Sequence, residues 1–557
     1  MDWNKLLSTE RIRKSIPTDI RNEFESDFGR IIYSPALRRM HDKTQVFPLT
    51  SDDNIHSRLT HSNEVMSLGY TFGIKLAESK KFQKTTKKEE KELLRIIPIL
   101  LQNACLVHDI GNSPFGHFGE TIISNYFQNL NDEKKEPFAS LKTDHEKNDF
   151  LNYDGNAQGF RVLTKLQILN DPFGLNLTYA TLATTLKYPN HGEINNVKKA
   201  KLEDRGEILD FEPIESKKHG IFHSEIDIYN DIIEKTGLRF KKRVLRHPLC
   251  YLMEAADSIA YLCMDMEDGF NKGIFSIKDI KTKFEERIKE SFINSESSNI
   301  CKDVIEIINN INVNDSYKIV NIRIALIRHF VNLAFNNFEK NLEEIEKGEY
   351  NFELIQDDED KLFKLVESFS KLIFNSREIN NLESTGYSVI VGLLNFYIDF
   401  IFNKKNKKFI NKAKVLISES IISAAIEETL IETCQNKLDK RKDSLSTKFN
   451  KFNTVGNQNY KLDKELEEIS SKNQKFKSLK TEYQRLLNLS KTKVVEKKSP
   501  EYSKLLEVRK EIYDLIEPDF DDLSDYYKLR VIVDFISGMT DNYALKHFQK
   551  ISGQRIN

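Results

Sequence analysis

The sequence has few cysteines, and their spacing excludes two common structural uses. Five occur in 557 residues, at positions 105, 250, 263, 301 and 434, and no two form a CxxC pair. That scatter argues against a disulfide framework and against a cysteine-ligated zinc site. Three of the five lie in apolar helical runs, which is typical of reduced, buried thiols in a cytoplasmic protein.

Long hydrophobic runs and a net charge are also missing. No run approaches the roughly 18 apolar residues of a membrane span, and Met1 to Leu6 lack the apolar stretch of a signal peptide. The 84 Lys and Arg residues nearly balance the 85 Asp and Glu residues, giving a net charge of -1. The chain as a whole is therefore not a polyanion binder. We predict a cytoplasmic protein that does not engage a membrane.

Period-two alternation of apolar and polar residues is rare, whereas helical periodicity recurs. Apolar residues from Val65 to Leu76 hold one helix face, for example, and Thr60 is the predicted N-cap of that helix. The hydrophobic content of 39% and the charged content of 30% are those of a globular chain. The sequence predicts an all-α fold with at most one small β-hairpin, between Gly206 and Gly220.

One stretch, residues 106–120, concentrates two histidines, two carboxylates and three glycines. His108 and Asp109 end the apolar run Ile96 to Val107, which has the pattern of a buried helix. A second helix is predicted just beyond, and it would place His117 and Glu120 three residues apart on one face. Adjacent metal-type ligands at the end of a core helix indicate more than a structural role.

Two residues elsewhere complete a candidate metal site. His61 falls in the first turn of its predicted helix, and Asp257 lies within an apolar helix, where a carboxylate without a cation is unfavourable. Two imidazoles and two carboxylates make a mixed nitrogen and oxygen site, which suits Mn²⁺, Mg²⁺, Fe²⁺ or Zn²⁺. The candidate metal ligands are His61, His108, Asp109 and Asp257.

The order His, His-Asp, Asp resembles that of the HD superfamily of metal phosphohydrolases. Further strings are similar to one branch, the deoxyguanosine triphosphate triphosphohydrolases that act on dNTPs, in the same order along the chain. These strings are residues 34–39, 43–47, 58–62, 106–120, 155–158, 175–178, 186–189, 254–261 and 538–541. The region from about 276 to 520 matches poorly, except for residues 383–394.

The resemblance implies an activity and roles for particular residues. It implies metal-dependent hydrolysis of dGTP, or of other dNTPs too, to the deoxynucleoside and inorganic tripolyphosphate. The cofactor would be a divalent ion, Mn²⁺ or Mg²⁺ first, with Fe²⁺ and Zn²⁺ also compatible. His117 would protonate the departing 5′-oxygen, and Glu120 would orient it. The implied substrate contacts are Arg58 and Lys187 for the triphosphate, and Gln45, Asn156, Tyr261 and Asp265 for the sugar and its pocket.

The same resemblance, read with the charge pattern, predicts the domain organisation and the partners. Residues 1–58 would form an N-terminal arm that contributes to the active site, 59–275 the HD core, and 276–557 a helical C-terminal region. That region would include a charged helical arm, about 436–500, and a docking segment, 527–551. The resemblance also implies a homo-oligomer, with a hexamer favoured, and is compatible with a nucleotide activator and weak single-stranded DNA binding.

Two other functions stay open at this level. A different HD phosphohydrolase, such as a nucleotidase or a phosphodiesterase, would share the four metal ligands. Tyr261 and Asp265, one and two turns after Asp257, argue against it because they fall where the dNTP-cleaving branch reads the sugar. A nucleic-acid-binding or interaction protein is the second alternative, motivated by the lysines of the charged arm, although acidic residues interleave with them.

Overall fold

The fold is built almost entirely from helices. We describe it from a computed structural model that covers residues 1–14, 20–50, 55–167, 173–191, 214–240, 243–290, 296–358, 361–403, 405–453, 460–492 and 499–554. Within these ranges the only sheet has two strands, in which Arg239–Phe240 pairs antiparallel with Arg243–Val244. The predicted all-α class is confirmed.

The hairpin was expected elsewhere. Residues 206–213 of the predicted segment lie outside the described ranges, and Ile214–Ser216 just after them is a 3₁₀ turn. The strands that the structure does contain, near residue 240, are only two residues long each. A strand that short cannot show a period-two pattern, so alternation could not have located it.

Before residue 275 the described chain is mostly helical, and three of its helices are longer than the rest. Pro35–Arg39 begins with Ser34 as N-cap and Pro35 in the first turn. Thr60 is not the N-cap of its helix: the Ser57 hydroxyl caps it by accepting from the Thr60 amide at 3.3 Å. The α-helices of this part are Trp3–Leu6, Glu23–Ile32, Pro35–Arg39, Arg58–Glu78, Lys80–Thr86, Glu90–Val107, Gly116–Asp132, Asp144–Leu151, Gly155–Arg161, Tyr179–Thr185, Ile226–Thr236 and Pro248–Asn271.

Three of these helices position the site, and we name them by a residue each carries or adjoins. They are the His61 helix (Arg58–Glu78), the His108 helix (Glu90–Val107) and the Asp257 helix (Pro248–Asn271). The His61 helix packs against the other two, and the His108 helix also contacts the Asp257 helix. Their buried apolar side chains all belong to one large hydrophobic cluster, so the three helices form a single packed unit.

Beyond residue 275 the described chain is again helical. Its α-helices are Ile277–Glu290, Glu296–Asn309, Asp315–Lys340, Leu342–Lys347, Leu362–Phe374, Arg377–Ile401, Lys407–Leu416, Glu419–Glu428, Leu430–Asn453, Tyr460–Thr492, Pro500–Ile516, Asp525–Ser537 and Asp541–Ile551. In the charged arm, Leu430–Asn453 and Tyr460–Thr492 contact each other, and Pro500–Ile516 packs against both. Two small apolar clusters hold these helices together, as expected for so many charged residues.

The helix Arg377–Ile401 is long and apolar enough to cross a membrane by length and composition alone. Several of its side chains, including Val389, Leu393 and Tyr397, are buried in a second hydrophobic cluster. That cluster also contains Phe115 and residues of the last two helices. The helix therefore has the packing of a core helix, and it links the region around residue 115 to the C-terminal part.

A buried ion network joins the first part of the chain to the last. The Arg161 side chain is fully buried, and it donates to Asp534 at 2.9 Å, Glu225 at 2.7 Å and Glu428 at 3.0 Å. A buried cation without such partners would be strongly unfavourable. Asp534 lies in Asp525–Ser537, so this network fixes that helix against the helix Gly155–Arg161.

Candidate active site

The three long helices bring the four candidate metal ligands together. His61 lies in the first turn of its helix, His108 and Asp109 directly follow theirs, and Asp257 lies midway along its own. Candidate ligand atoms of His61, His108 and Asp109 are within 4.8 Å of one another. Asp257 Oδ1 lies 3.2 Å from His61 Nε2 and 3.4 Å from His108 Nε2. Two imidazoles and two carboxylates thus lie together, with Asp257 in contact with both rings.

A backbone contact sets the orientation of the His108 ring. His108 Nδ1 donates to the Cys105 carbonyl oxygen at 2.7 Å, one turn back along its own helix. The proton is therefore on Nδ1 in the neutral ring, and Nε2 presents its lone pair to the cluster. Nε2 is buried and has no hydrogen-bond partner. An orphaned ring nitrogen facing two carboxylates fits a metal ligand.

The charges of the cluster favour a cation. Burial alone would lower the pKa of His108, but the carboxylates of Asp109 and Asp257 outweigh it and raise that pKa to about 9. Burial would raise the pKa of Asp257, but His108 and His61 hold it well below its usual range. The carboxylates that retain a proton on His108 would stabilise a divalent ion in the same place.

Arg58 and Asn112 hold Asp109 from both sides. The buried Arg58 guanidinium forms an ion pair with Asp109 Oδ2, and Asn112 Nδ2 donates to Asp109 Oδ1 at 2.9 Å. Burial would raise the pKa of Asp109, but Arg58 and His108 keep it below its ordinary value. The arginine predicted to contact phosphate thus pairs with a candidate ligand. Asn112 was not singled out in the sequence, although it lies within the motif.

His117 and Glu120 form a pair on the first turn of the helix Gly116–Asp132. His117 Nδ1 lies 3.1 Å from Glu120 Oε2. The His117 side chain is 72% exposed, whereas the Glu120 side chain is 8% exposed. The Glu120 carboxylate raises the pKa of His117. An exposed imidazole such as that of His117, supported by the buried carboxylate of Glu120, is suited to delivering a proton to a bound molecule.

Lys187 and Asn156 lie on another side of the cluster. Lys187 Nζ is 3.8 Å from Asp257 Oδ2 and 3.4 Å from Glu254 Oε1. Both Lys187 and Asn156 line a narrow cavity that also contains His108. This position places one cation beside the metal-type residues. Glu254, which also pairs with Arg246 at 2.7 Å, was not singled out in the sequence.

Tyr261 and Asp265 follow Asp257 on one face of its helix, as the spacing predicts. Tyr261 is partly buried and Asp265 is buried. Burial raises the pKa of Asp265 to about 7. Gln45, on the N-terminal arm, has a buried side-chain oxygen with no hydrogen-bond partner. An unpartnered acceptor of this kind fits a residue that binds a polar ligand group.

The imidazole of His56, which sequence analysis missed, contacts the helix that carries Asp265. His56 Nδ1 is 3.0 Å from Asp268 and its Nε2 is 3.1 Å from Glu64. Burial opposes the charge, but the two carboxylates raise the pKa of His56 to about 10. The backbone N–H of Gln45 donates to the backbone carbonyl oxygen of His56 at 3.3 Å. His56 thus ties the N-terminal arm to the helix that carries Asp265.

The loop after Asp109 packs tightly against the helix Gly155–Arg161, and Gly111 makes this possible. A Cβ at Gly111 would lie 2.0 Å from the Gly159 nitrogen and 2.2 Å from the Gly155 carbonyl oxygen. Only glycine allows that approach of two backbones. Gly111 also lines a separate cavity of about 560 Å³, which contains Lys43 but none of the four candidate metal ligands.

Comparisons with known proteins agree with this architecture. Residues 476–550 match the family model of the phosphohydrolase-associated domain. A deoxyguanosinetriphosphate triphosphohydrolase-like protein of Listeria innocua is 36% identical over 409 residues, which cover 72% of this chain and 84% of that protein. The deoxyguanosinetriphosphate triphosphohydrolase of Yersinia enterocolitica is 28% identical over 565 residues, which cover 96% and 94%. The corresponding protein of Klebsiella pneumoniae is 30% identical over 71% and 82%.

The helical core, the histidines and carboxylates that meet in it, the matched C-terminal domain and these relatives together define a hydrolase of the HD phosphohydrolase class. Within that class, the chain belongs to the deoxyguanosinetriphosphate triphosphohydrolase-like family.

Proposed function

We propose that the protein hydrolyses dNTPs, dGTP among them, to the deoxynucleoside and inorganic tripolyphosphate, with Mn²⁺ or Mg²⁺ as cofactor. One observation carries the proposal. One short loop joins the cluster of His61, His108, Asp109 and Asp257 to His117, which is exposed and paired with the Glu120 carboxylate. The relatives of this chain are named for dGTP triphosphohydrolysis.

The four clustered residues would hold the divalent ion. Their donor set of two imidazole nitrogens and carboxylate oxygens suits Mn²⁺, and the orphaned His108 Nε2 is available as a ligand. When bound, the ion would supply Lewis-acid polarisation of a phosphate oxygen. Arg58 and Asn112 keep Asp109 in place as a ligand, which is the outer-shell support that such sites require.

His117 would hold the proton that the departing 5′-oxygen needs. Because Glu120 raises the pKa of His117, it favours the protonated ring, which would donate from Nε2 while Nδ1 stays paired with Glu120. Lys187, beside the cluster, would bind phosphate oxygens with its charge. Tyr261 would pack against C2′ and exclude a ribose hydroxyl, and Asp265 with Gln45 would bind the 3′-hydroxyl.

Product analysis tests the proposal and its alternatives together. The protein is incubated with each of the four dNTPs and with GTP, in Mn²⁺ or Mg²⁺, and the phosphate products are separated by anion exchange. Tripolyphosphate with the free deoxynucleoside is the expected result. Orthophosphate would instead indicate a nucleotidase, and release of tripolyphosphate from none of the five substrates contradicts the proposal.

A substitution of Glu120 should change the pH dependence. Since the Glu120 carboxylate raises the pKa of His117, the acid form is present below that pKa and is lost as the pH rises through it. In Glu120→Gln the alkaline limb of kcat should therefore move to lower pH. The measurement is a pH profile of dGTP turnover for both proteins. Glu133→Gln, an exposed change at the end of the same helix, should leave the limb in place.

A substitution of Tyr261 should weaken the exclusion of ribonucleotides. If its ring occupies the space of a 2′-hydroxyl, Tyr261→Ala should lower the ratio of kcat/KM for dGTP to that for GTP by roughly 10-fold or more. Tyr261→Phe is the matched control, because it keeps the ring and should keep the discrimination. An unchanged ratio in the alanine variant would assign Tyr261 to the core alone.

A further inference from the structure

A single carboxylate near the C-terminus contacts two segments of the active site. Asp541 is the first residue of the helix Asp541–Ile551 and is buried. Its Oδ1 accepts from the Phe115 amide at 2.9 Å, and its Oδ2 accepts from the Thr44 amide at 3.0 Å and from the Thr44 hydroxyl. The carboxylate thus joins three segments that are distant in sequence.

A buried lysine joins the same three segments beside it. Lys43 Nζ donates to the Asn112 carbonyl oxygen at 2.5 Å and to the Ser537 carbonyl oxygen at 2.8 Å. Lys43 and Thr44 belong to the N-terminal arm, Asn112 and Phe115 to the loop after Asp109, and Ser537 and Asp541 to the C-terminal part. Two buried side chains, Asp541 and Lys43, therefore each bond to the backbone of the loop.

The two contacted residues, Phe115 and Thr44, lie close in sequence to His117 and Gln45, whose side chains the proposed function uses. Phe115 has a left-handed backbone, with φ of 63°, which a non-glycine residue adopts only when other contacts hold it. It is two residues before His117, and it ends the loop that begins at the metal-type pair. Thr44 directly precedes Gln45. Movement of either contacted amide would displace a side chain that the proposed function uses.

We propose that Asp541 is a positioning residue, which sets His117 against the metal-type cluster by holding the Phe115 amide and which holds Gln45 through Thr44. The proposal rests on the proposed function, because it assigns His117 the proton transfer. The described hydrogen bonds of the Asp541 carboxylate go to Thr44 and Phe115 and to none of the four candidate metal ligands, so its effect on turnover would pass through the segments it holds.

An acidic residue in the first turn of a helix also has a simpler role, since it stabilises the helix end. Here, however, the Thr540 side chain caps the helix by accepting from the Tyr543 amide, and both Asp541 oxygens accept from other segments. Asp315 provides a matched control. It is likewise the first residue of a helix, after the N-cap Asn314, but its side chain is 59% exposed and pairs only with Lys318 among the ion pairs of the described residues.

The first test compares two substrates in Asp541→Asn and Asp315→Asn. One is dGTP, and the other is its analogue with sulfur in place of the 5′-oxygen, whose leaving thiolate needs no proton because thiols are far more acidic than alcohols. Asp541→Asn should lower kcat for dGTP by roughly 10-fold or more. It should lower kcat for the analogue much less, with metal content unchanged. Asp315→Asn should behave as wild type with both substrates.

The second test needs no activity. Amide hydrogen exchange of peptides covering residues 43–47 and 112–118 should be roughly 10-fold or more faster in Asp541→Asn, and unchanged in Asp315→Asn. If Asp541→Asn does not fold, Asp541→Glu is measured instead, since it keeps the charge and moves the acceptor by one methylene.

The outcomes separate this proposal from the proposed function. Equal loss of activity on both substrates in Asp541→Asn, or amide exchange that matches Asp315→Asn, would overturn the positioning role. Failure of the wild-type protein to release tripolyphosphate from any dNTP would instead contradict the proposed function, and the exchange measurement would still decide whether Asp541 holds the two segments.

Discussion

His117→Ala should lower kcat for dGTP by roughly 10²- to 10⁴-fold, the range by which general acid catalysis accelerates such reactions. The side chain is exposed and contacts Glu120 alone among its described hydrogen-bond partners, so its removal should leave the fold and the metal content unchanged. Steady-state turnover and metal analysis by mass spectrometry measure the two quantities. The 5′-thio analogue should be cleaved at nearly the wild-type rate, because its leaving group needs no proton.

The control for this experiment is His41→Ala. His41 also lies next to a carboxylate, with its Nδ1 3.0 Å from Asp42, but both side chains are exposed at the surface. Its substitution should leave turnover of dGTP unchanged. Full activity of His117→Ala on dGTP would show that another group donates the proton. Loss of metal in that variant would instead indicate that His117 is a metal ligand.

Asp257→Ala should remove both the metal and the turnover. The carboxylate lies against His61 and His108 and near Lys187. Its removal takes away a candidate metal ligand and one of the negative charges that would balance a bound cation. Changes in the outer shell of a metal site already reduce affinity or activity by roughly 10- to 100-fold, and loss of a ligand should exceed that range. Metal content per chain and dGTP turnover, each over a range of added Mn²⁺, provide the measurement.

Asp265→Asn, two turns along the same helix, is the control for this experiment. It removes a buried carboxyl group of similar size, but one that lies away from His61 and His108 in the described contacts. It should keep the metal and raise KM for dGTP. If Asp257→Ala retained a full complement of metal, the candidate ligand set would be wrong, whatever its activity.

Local sequence patterns were sufficient to predict the residues that share an element or a turn. His117 and Glu120 meet because they are three apart on a helix, and Asp257, Tyr261 and Asp265 share a face because they are four apart. Periodicity likewise predicted the helical class. It could not place helix ends to the residue, so Ser57 rather than Thr60 caps the His61 helix.

Contacts between distant segments lie beyond such patterns. The convergence of His61, His108 and Asp257 was inferred from the need of a buried carboxylate for a cation and from resemblance, whereas no local signal pairs Arg58 with Asp109. His56 was missed for the same reason, because its partners are set by tertiary packing. Glu254 and Asp541 lie within family-matching strings, but their contacts with Arg246, Thr44 and Phe115 were not predicted. The roles assigned to the substrate-contacting residues stay predictions, which the variants above test.

The ion network around Arg161 has a consequence for the order in which the protein matures during synthesis. A ribosome makes the chain from the N-terminus, so Arg161 is present long before Glu428 and Asp534, which follow it by 267 and 373 residues. Until those acceptors are made, closing the core around Arg161 would bury a cation with Glu225 as its one carboxylate partner from the described network. The histidine and aspartate cluster is complete in sequence by residue 257, but the nascent chain should reach its final packing only when translation is nearly finished.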